Sequence, residues 1–376
     1  MIDFDTLEPA IDPNNRITFL LDWELTLKCN LDCGYCSSGI YGGHDNSTSH
    51  PKLDDCFRTI DFMFEYADLY MSSKPHGIKY VVLNVYGGES LHYPDITKVL
   101  QRCQSVYQEN YRQSWHLTIT TTTNAIVNQR KMIDIIPLID EFTCSYHSEN
   151  TEKQKDLFKK NLLMIRDSGK RIKVVVLMHS SPSLFEDSQN MIQWCQENNI
   201  NYYPRQLDHP SHETQWNYNK KQVIWFNELY KTRSRGEIKT LSPVQNNDKF
   251  NLADTGRACC GGRQLCKNSN FKQREIYVNN KFPDWYCSVN EFFLYIKQVN
   301  GEIYVNKDCK MNFQGGVGPI GNLNDTAALI NWTKSNLEQN TIPIIQCKKN
   351  RCLCGLCAPK AKELSDFKTM MRKFKK

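Results

Sequence analysis

A chain of 376 residues, 40% hydrophobic and 23% charged, can bury one large core with a smaller module beside it. No apolar run reaches bilayer length, and the acidic start Met1-Ile2-Asp3-Phe4-Asp5 lacks the basic-then-apolar order of a signal peptide. Neither a membrane nor a secreted protein is expected, a cytoplasmic location is, and a net charge of +6, partly from the tail after Lys368, is too mild to indicate nucleic acid.

The first predicted element is a buried strand over 17–27. Directly after it comes Lys28-Cys29-Asn30-Leu31-Asp32-Cys33-Gly34-Tyr35-Cys36. Three thiols on one short loop can converge on one metal centre, with Gly34 letting the backbone wrap closely around it. Three are one too few for a closed tetrahedral zinc site or a fully protein-ligated cubane. An iron without a protein ligand is a position open to chemistry; a structural zinc loop, or three unconnected cysteines, is the plainer alternative.

Strand-length apolar runs follow at 80–86, 116–123, 141–147, 173–179 and 201–207. Helical spacing fills 54–71, 96–107, 129–139, 152–167 and 184–197, then 220–230. Six βα units imply a parallel sheet with helices outside and strands buried on both faces. Six are too few for a complete eight-stranded barrel, and functional residues should gather at the C-terminal strand ends. There the second strand ends in Gly87-Gly88-Glu89, with a carboxylate at the mouth and glycines that let a ligand approach the backbone. The third ends in Thr123-Asn124-Ala125 and the fourth in Ser145-Tyr146-His147; His179 and Arg205 close the fifth and sixth.

Cys-x3-Cys-x2-Cys after a first strand, followed by Gly-Gly-Glu after the second, resembles the radical S-adenosylmethionine (SAM) enzymes, whose fold is a partial (β/α)6 TIM-like barrel. The resemblance implies that Cys29, Cys33 and Cys36 hold a [4Fe–4S] cluster whose fourth iron binds SAM. It also implies that Gly87, Gly88 and Glu89 take the methionine amino group, that Thr123 and Asn124 line the pocket, that Ser145 meets the ribose, and that Tyr35 packs beside the adenine. Ala125 stands where the family often has glycine. Packing or capping roles compete at each of these positions. His147, His179 and Arg205 are candidates to face the substrate as acid/base groups or anion clamps, against the alternative of hydrogen-bonded structural residues.

The sixteen cysteines, in a long chain without an export signal, suggest metal or redox-cofactor ligation rather than disulfides. Cys56, Cys103, Cys144 and Cys195 lie on apolar faces as inert core residues. Nine fall after residue 258. A polar connector over 233–255 separates the barrel, 17–232, from a module over 256–362; an N-terminal extension (1–16) and a basic tail (363–376) flank them. Asn300-Gly301 predicts a tight β-hairpin within the module, with a helix after it. Cysteines before and after a hairpin, then a later knot, resemble the SPASM/Twitch auxiliary-cluster domain. On that resemblance Cys260, Cys266, Cys287, Cys309, Cys347, Cys352, Cys354 and Cys357 hold one or two auxiliary [4Fe–4S] clusters. The spacing from Gly301 to Cys309 is longer than the usual SPASM pattern and the final knot is compressed, and four-cysteine zinc sites use similar spacings.

The implied activity is reductive cleavage of SAM to a 5′-deoxyadenosyl radical that abstracts hydrogen from a substrate, with auxiliary clusters transferring electrons or binding the substrate. The expected partners are a reductant such as flavodoxin or ferredoxin and a peptide or protein substrate. A small metabolite, carbohydrate or nucleoside substrate, or a non-catalytic zinc- or cluster-binding module, is the alternative.

Overall fold

In chain order, β1 (Thr6–Leu7) precedes β2 (Arg16–Thr26), α1 (Leu53–Ser72), β3 (Ile78–Gly87), α2 (Ile96–Asn110), β4 (His116–Thr123) and α3 (Gln129–Ile135). Next come β5 (Glu141–His147), α4 (Glu152–Asp167), β6 (Arg171–Met178), α5 (Pro182–Glu197), β7 (Asn201–Gln206) and α6 (Lys220–Ser234). The chain ends with β8 (Tyr286–Cys287), β9 (Phe293–Lys297), β10 (Glu302–Tyr304), β11 (Gly321–Asn322), α7 (Thr326–Glu338), β12 (Ile345–Gln346), β13 (Lys360–Ala361) and α8 (Leu364–Phe374). This computed structural model describes residues 6–7, 16–36, 45–74, 77–207, 218–234, 284–306, 318–348 and 360–374. Cys260, Cys266, Cys309, Cys352, Cys354 and Cys357 lie outside the described residues, as does most of the connector. No helix among the described residues is long and apolar enough to cross a membrane.

Nine strands form the main sheet in the order β11-β10-β9-β2-β3-β4-β5-β6-β7. From β2 to β7 each strand lies parallel beside the next. Right-handed crossovers in one direction place the connecting helices on the same side of such a sheet. The mixed α/β architecture with a large parallel sheet is the one expected from the βα repeats. Strand residues facing the helices are apolar and sealed: Phe19, Trp23, Leu83, Ile119, Phe142 and Val174 are 0–1% exposed.

The opposite face departs from the expectation of burial on both sides. Asp22, Asn84 and Thr120 share one register row across β2, β3 and β4 and are half-buried. Asn84 Nδ2 donates to Asp22 Oδ1 (2.9 Å), and Thr120 Oγ1 donates to Asn84 Oδ1 (3.3 Å). Ser145, Val175 and Tyr203 form a half-buried row farther along. With period-two alternation one face of each strand can be apolar and the other polar.

The predicted hairpin forms, with Gly301 at φ 72° in its turn, but its strands join the main sheet. β9 runs parallel against β2 and extends the sheet by that edge. Trp23 Nε1 donates to Gln298 Oε1 (2.9 Å), Tyr295 Oη to Glu24 Oε2 (2.9 Å), and the Gln298 N–H to the Glu24 carbonyl (3.0 Å). A buried ion pair, Lys74 Nζ to Glu291 Oε2 at 2.7 Å, ties the end of α1 to the approach of β9. Lys74→Ala strands a buried carboxylate, and equilibrium denaturation should show a loss of about 3–5 kcal/mol; a Lys74→Met/Glu291→Leu double variant should recover most of it.

A second, four-stranded antiparallel sheet has the order β1-β13-β8-β12, so Thr6 and Leu7 pair with the chain's C-terminal part. The four scattered cysteines Cys56, Cys103, Cys144 and Cys195 are each 0% exposed, as core residues should be.

Candidate metal and cofactor site

The three-cysteine loop leaves β2 and is gripped from several sides. The Asp45 N–H donates to the Leu27 carbonyl (2.7 Å) and the Cys29 N–H to Asn46 Oδ1 (3.0 Å). Asn30 Nδ2 donates to the Ile126 carbonyl (2.6 Å), while Asn30 Oδ1 accepts from Asn124 Nδ2 (2.8 Å). The Leu31 N–H points at Cys29 Sγ (3.4 Å), as does Asn124 Nδ2 (3.7 Å). N–H donors aimed at sulfur stabilise thiolate over thiol.

Burial pushes the Cys33 thiol up to about 12, and neighbouring Cys36, Cys29 and Glu149 push the same way. Cys29 is raised to about 11, again by burial first, with Glu89 and Cys36 adding to it. The loop therefore brings three thiols within electrostatic reach of one another, and burial disfavours the bare thiolates of Cys29 and Cys33. A multinuclear iron centre would supply a countercharge, and the soft donors and N–H···S contacts fit an iron–sulfur cluster. Among the described residues no three His, Cys, Asp or Glu side chains are gathered tightly enough to hold a metal ion. The fold brings the three thiols to one loop, not onto one point.

The glycine pair is where the cysteine loop packs against the end of β3. The Gly88 N–H donates to the Thr26 carbonyl and the Glu89 N–H to the Lys28 carbonyl, both at 2.8 Å. A Cβ on Gly87 (φ 152°) would collide with the Thr26 carbonyl oxygen, and one on Gly88 with those of Leu27 and Lys28. What approaches these glycines is the root of the cysteine loop itself. Gly88→Ala should therefore cost about 1–3 kcal/mol in denaturation and lower metal loading as the loop is pushed away.

Glu89 is fully buried, not at the mouth. Its Oε1 accepts from Thr123 Oγ1 (2.6 Å) and the Leu91 N–H (3.0 Å), and its Oε2 from the Asn124 N–H (2.5 Å). Burial raises its pKa, and these three hydrogen bonds and Lys131 pull it back. Three donors on a carboxylate leave acceptor capacity for one more. Thr123 and Asn124 are thus locked to β3, and Asn124 in turn to Asn30. Ala125 takes φ 52°, the left-handed conformation that explains glycine's fitness there.

At the end of β5, Tyr35 Oη and His147 Nδ1 are 2.6 Å apart, with parallel rings at a 5.8 Å centroid separation. Cys33 Sγ is 3.3 Å from the same nitrogen. Burial lowers His147 to about 4, so the imidazole that shares this contact with Tyr35 and Cys33 is neutral. The structure thus places His147 and Tyr35 against each other beside Cys33. His179 Nδ1 accepts from the Ser181 N–H (2.9 Å) at the start of α5. Arg205 is half-buried on β7, in the register row of His147 and Leu177. Ser145, two residues before His147, is half-buried on the helix-free face.

Sequence reasoning missed Glu149. Its Oε2 accepts from the Gly34 N–H (3.1 Å), and its Oε1 lies 3.7 Å from His179 Nε2. Asn30 and Asn46 were missed as well; an asparagine beside a cysteine is a signal only once its partner across the fold is known.

In the second sheet Cys287 pairs in register with Ile345 on one side and Lys360 on the other, and the Cys347 N–H donates to the Trp285 carbonyl (2.9 Å). Antiparallel register puts Cys287 and Cys347, both buried, on the same face of that sheet. These two of the eight expected auxiliary ligands thus lie on one face of neighbouring strands.

No protein-family model matches the chain, and no curated protein matches it. Among solved structures it is similar to native anSMEcpe with bound AdoMet and the Cp18Cys peptide, at a TM-score of 0.52 and 12% identity over 86% of this chain and 82% of that one. Native anSMEcpe with bound AdoMet gives 0.52 and 13% over the same shares. SuiB of Streptococcus suis bound to S-adenosylmethionine gives 0.46 and 15% over 77% of this chain, which spans 60% of SuiB's length. The chain has the fold of anSMEcpe.

Proposed function

We propose that the protein is a radical SAM enzyme. The observation that carries this reading is the direct stitching of three motifs far apart in sequence. The cysteine loop, Gly87-Gly88-Glu89 and Thr123-Asn124 meet through backbone and side-chain hydrogen bonds at the C-terminal ends of adjacent parallel strands. Cys29, Cys33 and Cys36 would hold a [4Fe–4S] cluster, and the turn at Gly87–Glu89 with Asn124 would line the SAM pocket. When bound, the cluster and SAM supply one-electron cleavage of the sulfonium to a 5′-deoxyadenosyl radical able to abstract a hydrogen atom. The chain's own tasks are to orient the loop, to order the Thr123–Asn124 corner through Glu89, and to exclude water.

The substrate is proposed to be a peptide or protein. Its support is the half-buried polar face of Asp22, Asn84, Thr120 and Ser145, suited to backbone hydrogen bonds, together with the peptide bound by anSMEcpe. Cys287 and Cys347 would contribute to one or two auxiliary clusters with Cys260, Cys266, Cys309, Cys352, Cys354 and Cys357, and a flavodoxin or ferredoxin would supply the electron. The test is anaerobic purification with counts of iron, sulfide and zinc, then addition of SAM and dithionite. Formation of 5′-deoxyadenosine is expected. Zinc-filled sites with no nucleoside product would overturn the reading.

A further inference from the structure

We propose that Glu149 is a positioning residue for the cysteine loop, holding the Gly34 N–H and setting a negative charge beside Cys33 that lowers the reduction potential of the centre held there. The inference rests on the functional reading above and goes beyond it by assigning a determinant of the centre's potential.

Glu149 lies two residues past the end of β5, and its contact with Gly34 spans 115 positions of sequence. A carboxylate accepting a backbone N–H makes a charge-assisted bond, stronger than a neutral one. Its target is the residue following Cys33 in a loop where the Cys36 N–H also closes back onto the Cys33 carbonyl (3.0 Å). Fixing Gly34 therefore fixes the spacing between the second and third thiols.

Among the described residues the ion-pair neighbour of Glu149 is His179, 3.7 Å from Oε1. Burial lowers the pKa of His179 below the ordinary histidine value, although Glu149 pulls it upward. The imidazole is held in place by the Ser181 N–H on its other nitrogen. Net charge, hydrogen bonding and exposure set the potential of an iron–sulfur centre. A fixed negative charge opposes adding an electron, so the reduced centre becomes a stronger donor, which cleavage of a sulfonium requires.

Glu149→Gln keeps an oxygen for the Gly34 N–H and removes the charge, whereas Glu149→Ala removes both. Each is purified anaerobically with the wild type, iron is counted, and the midpoint potential is read from the electron paramagnetic resonance (EPR) signal that Cys33→Ala lacks. Glu149→Gln should keep wild-type iron and shift the midpoint to more positive values; Glu149→Ala should shift it the same way and lose iron. An unchanged or more negative midpoint in Glu149→Gln overturns the proposal, as does iron loss equal to that of Glu149→Ala. Absence of iron from the wild-type loop would instead remove the functional reading beneath it, so the two failures are distinct.

Discussion

Cys33→Ala is expected to lower SAM cleavage by more than about 100-fold, beyond what loss of an outer-sphere metal partner costs. Cys33 is the deepest of the three loop thiols, 9% exposed and packed within the main hydrophobic core, where Cys29 is half-buried and Cys36 exposed. Its sulfur also sits against His147, at the point where the end of β5 grips the loop. Two thiols cannot hold a cubane with a single open corner. Removing one small sulfur-bearing side chain should leave the sheet intact. The expected result is lost 5′-deoxyadenosine and lost iron from the loop, with circular dichroism and any C-terminal cluster's absorption retained. Wild-type product formation in this variant would contradict the assignment. Loss of all iron would show that the two sets of cysteines are not separate sites.

Glu89→Ala should be costly twice over. It leaves the Thr123 hydroxyl and the N–H groups of Leu91 and Asn124 buried without an acceptor, at about 1–3 kcal/mol for each stranded donor. A loss of at least about 3 kcal/mol in denaturant unfolding is expected, together with loss of SAM cleavage, because Asn124 no longer holds Asn30. Glu89→Gln keeps the shape but turns an amide NH2 toward a donor, so about 1–3 kcal/mol is expected from it. Wild-type stability in Glu89→Ala, with activity lost, would mean that the carboxylate acts on the ligand alone and does not organise the corner.

The strands of the parallel sheet were legible because their apolar runs are bounded by turn residues. The expected 116–123 and 141–147 coincide with β4 and β5, and 80–86 falls inside β3. The motif residues were legible as motifs, but not the partners that hold them in place. Nothing local in Gly87-Gly88 shows how closely the neighbouring cysteine loop packs against them. The burial of Glu89 was not legible because two of its three donors, from Thr123 and Asn124, lie on another segment. The parallel pairing of β9 with β2 joins residues some 270 positions apart, a register that no local pattern encodes. The polar inner face is visible in retrospect as Asp22 and Glu24 alternating with apolar neighbours, a period-two signal masked by the overall hydrophobicity of the strand.

The central claim is that the loop of Cys29, Cys33 and Cys36 holds a cluster with one iron open to SAM. The most direct measurement is EPR of the anaerobically reduced protein, recorded with and without SAM. A cubane signal that changes on SAM addition, and is missing in Cys33→Ala, is the predicted result. A spectrum indifferent to SAM, or a loop filled by zinc, would contradict it.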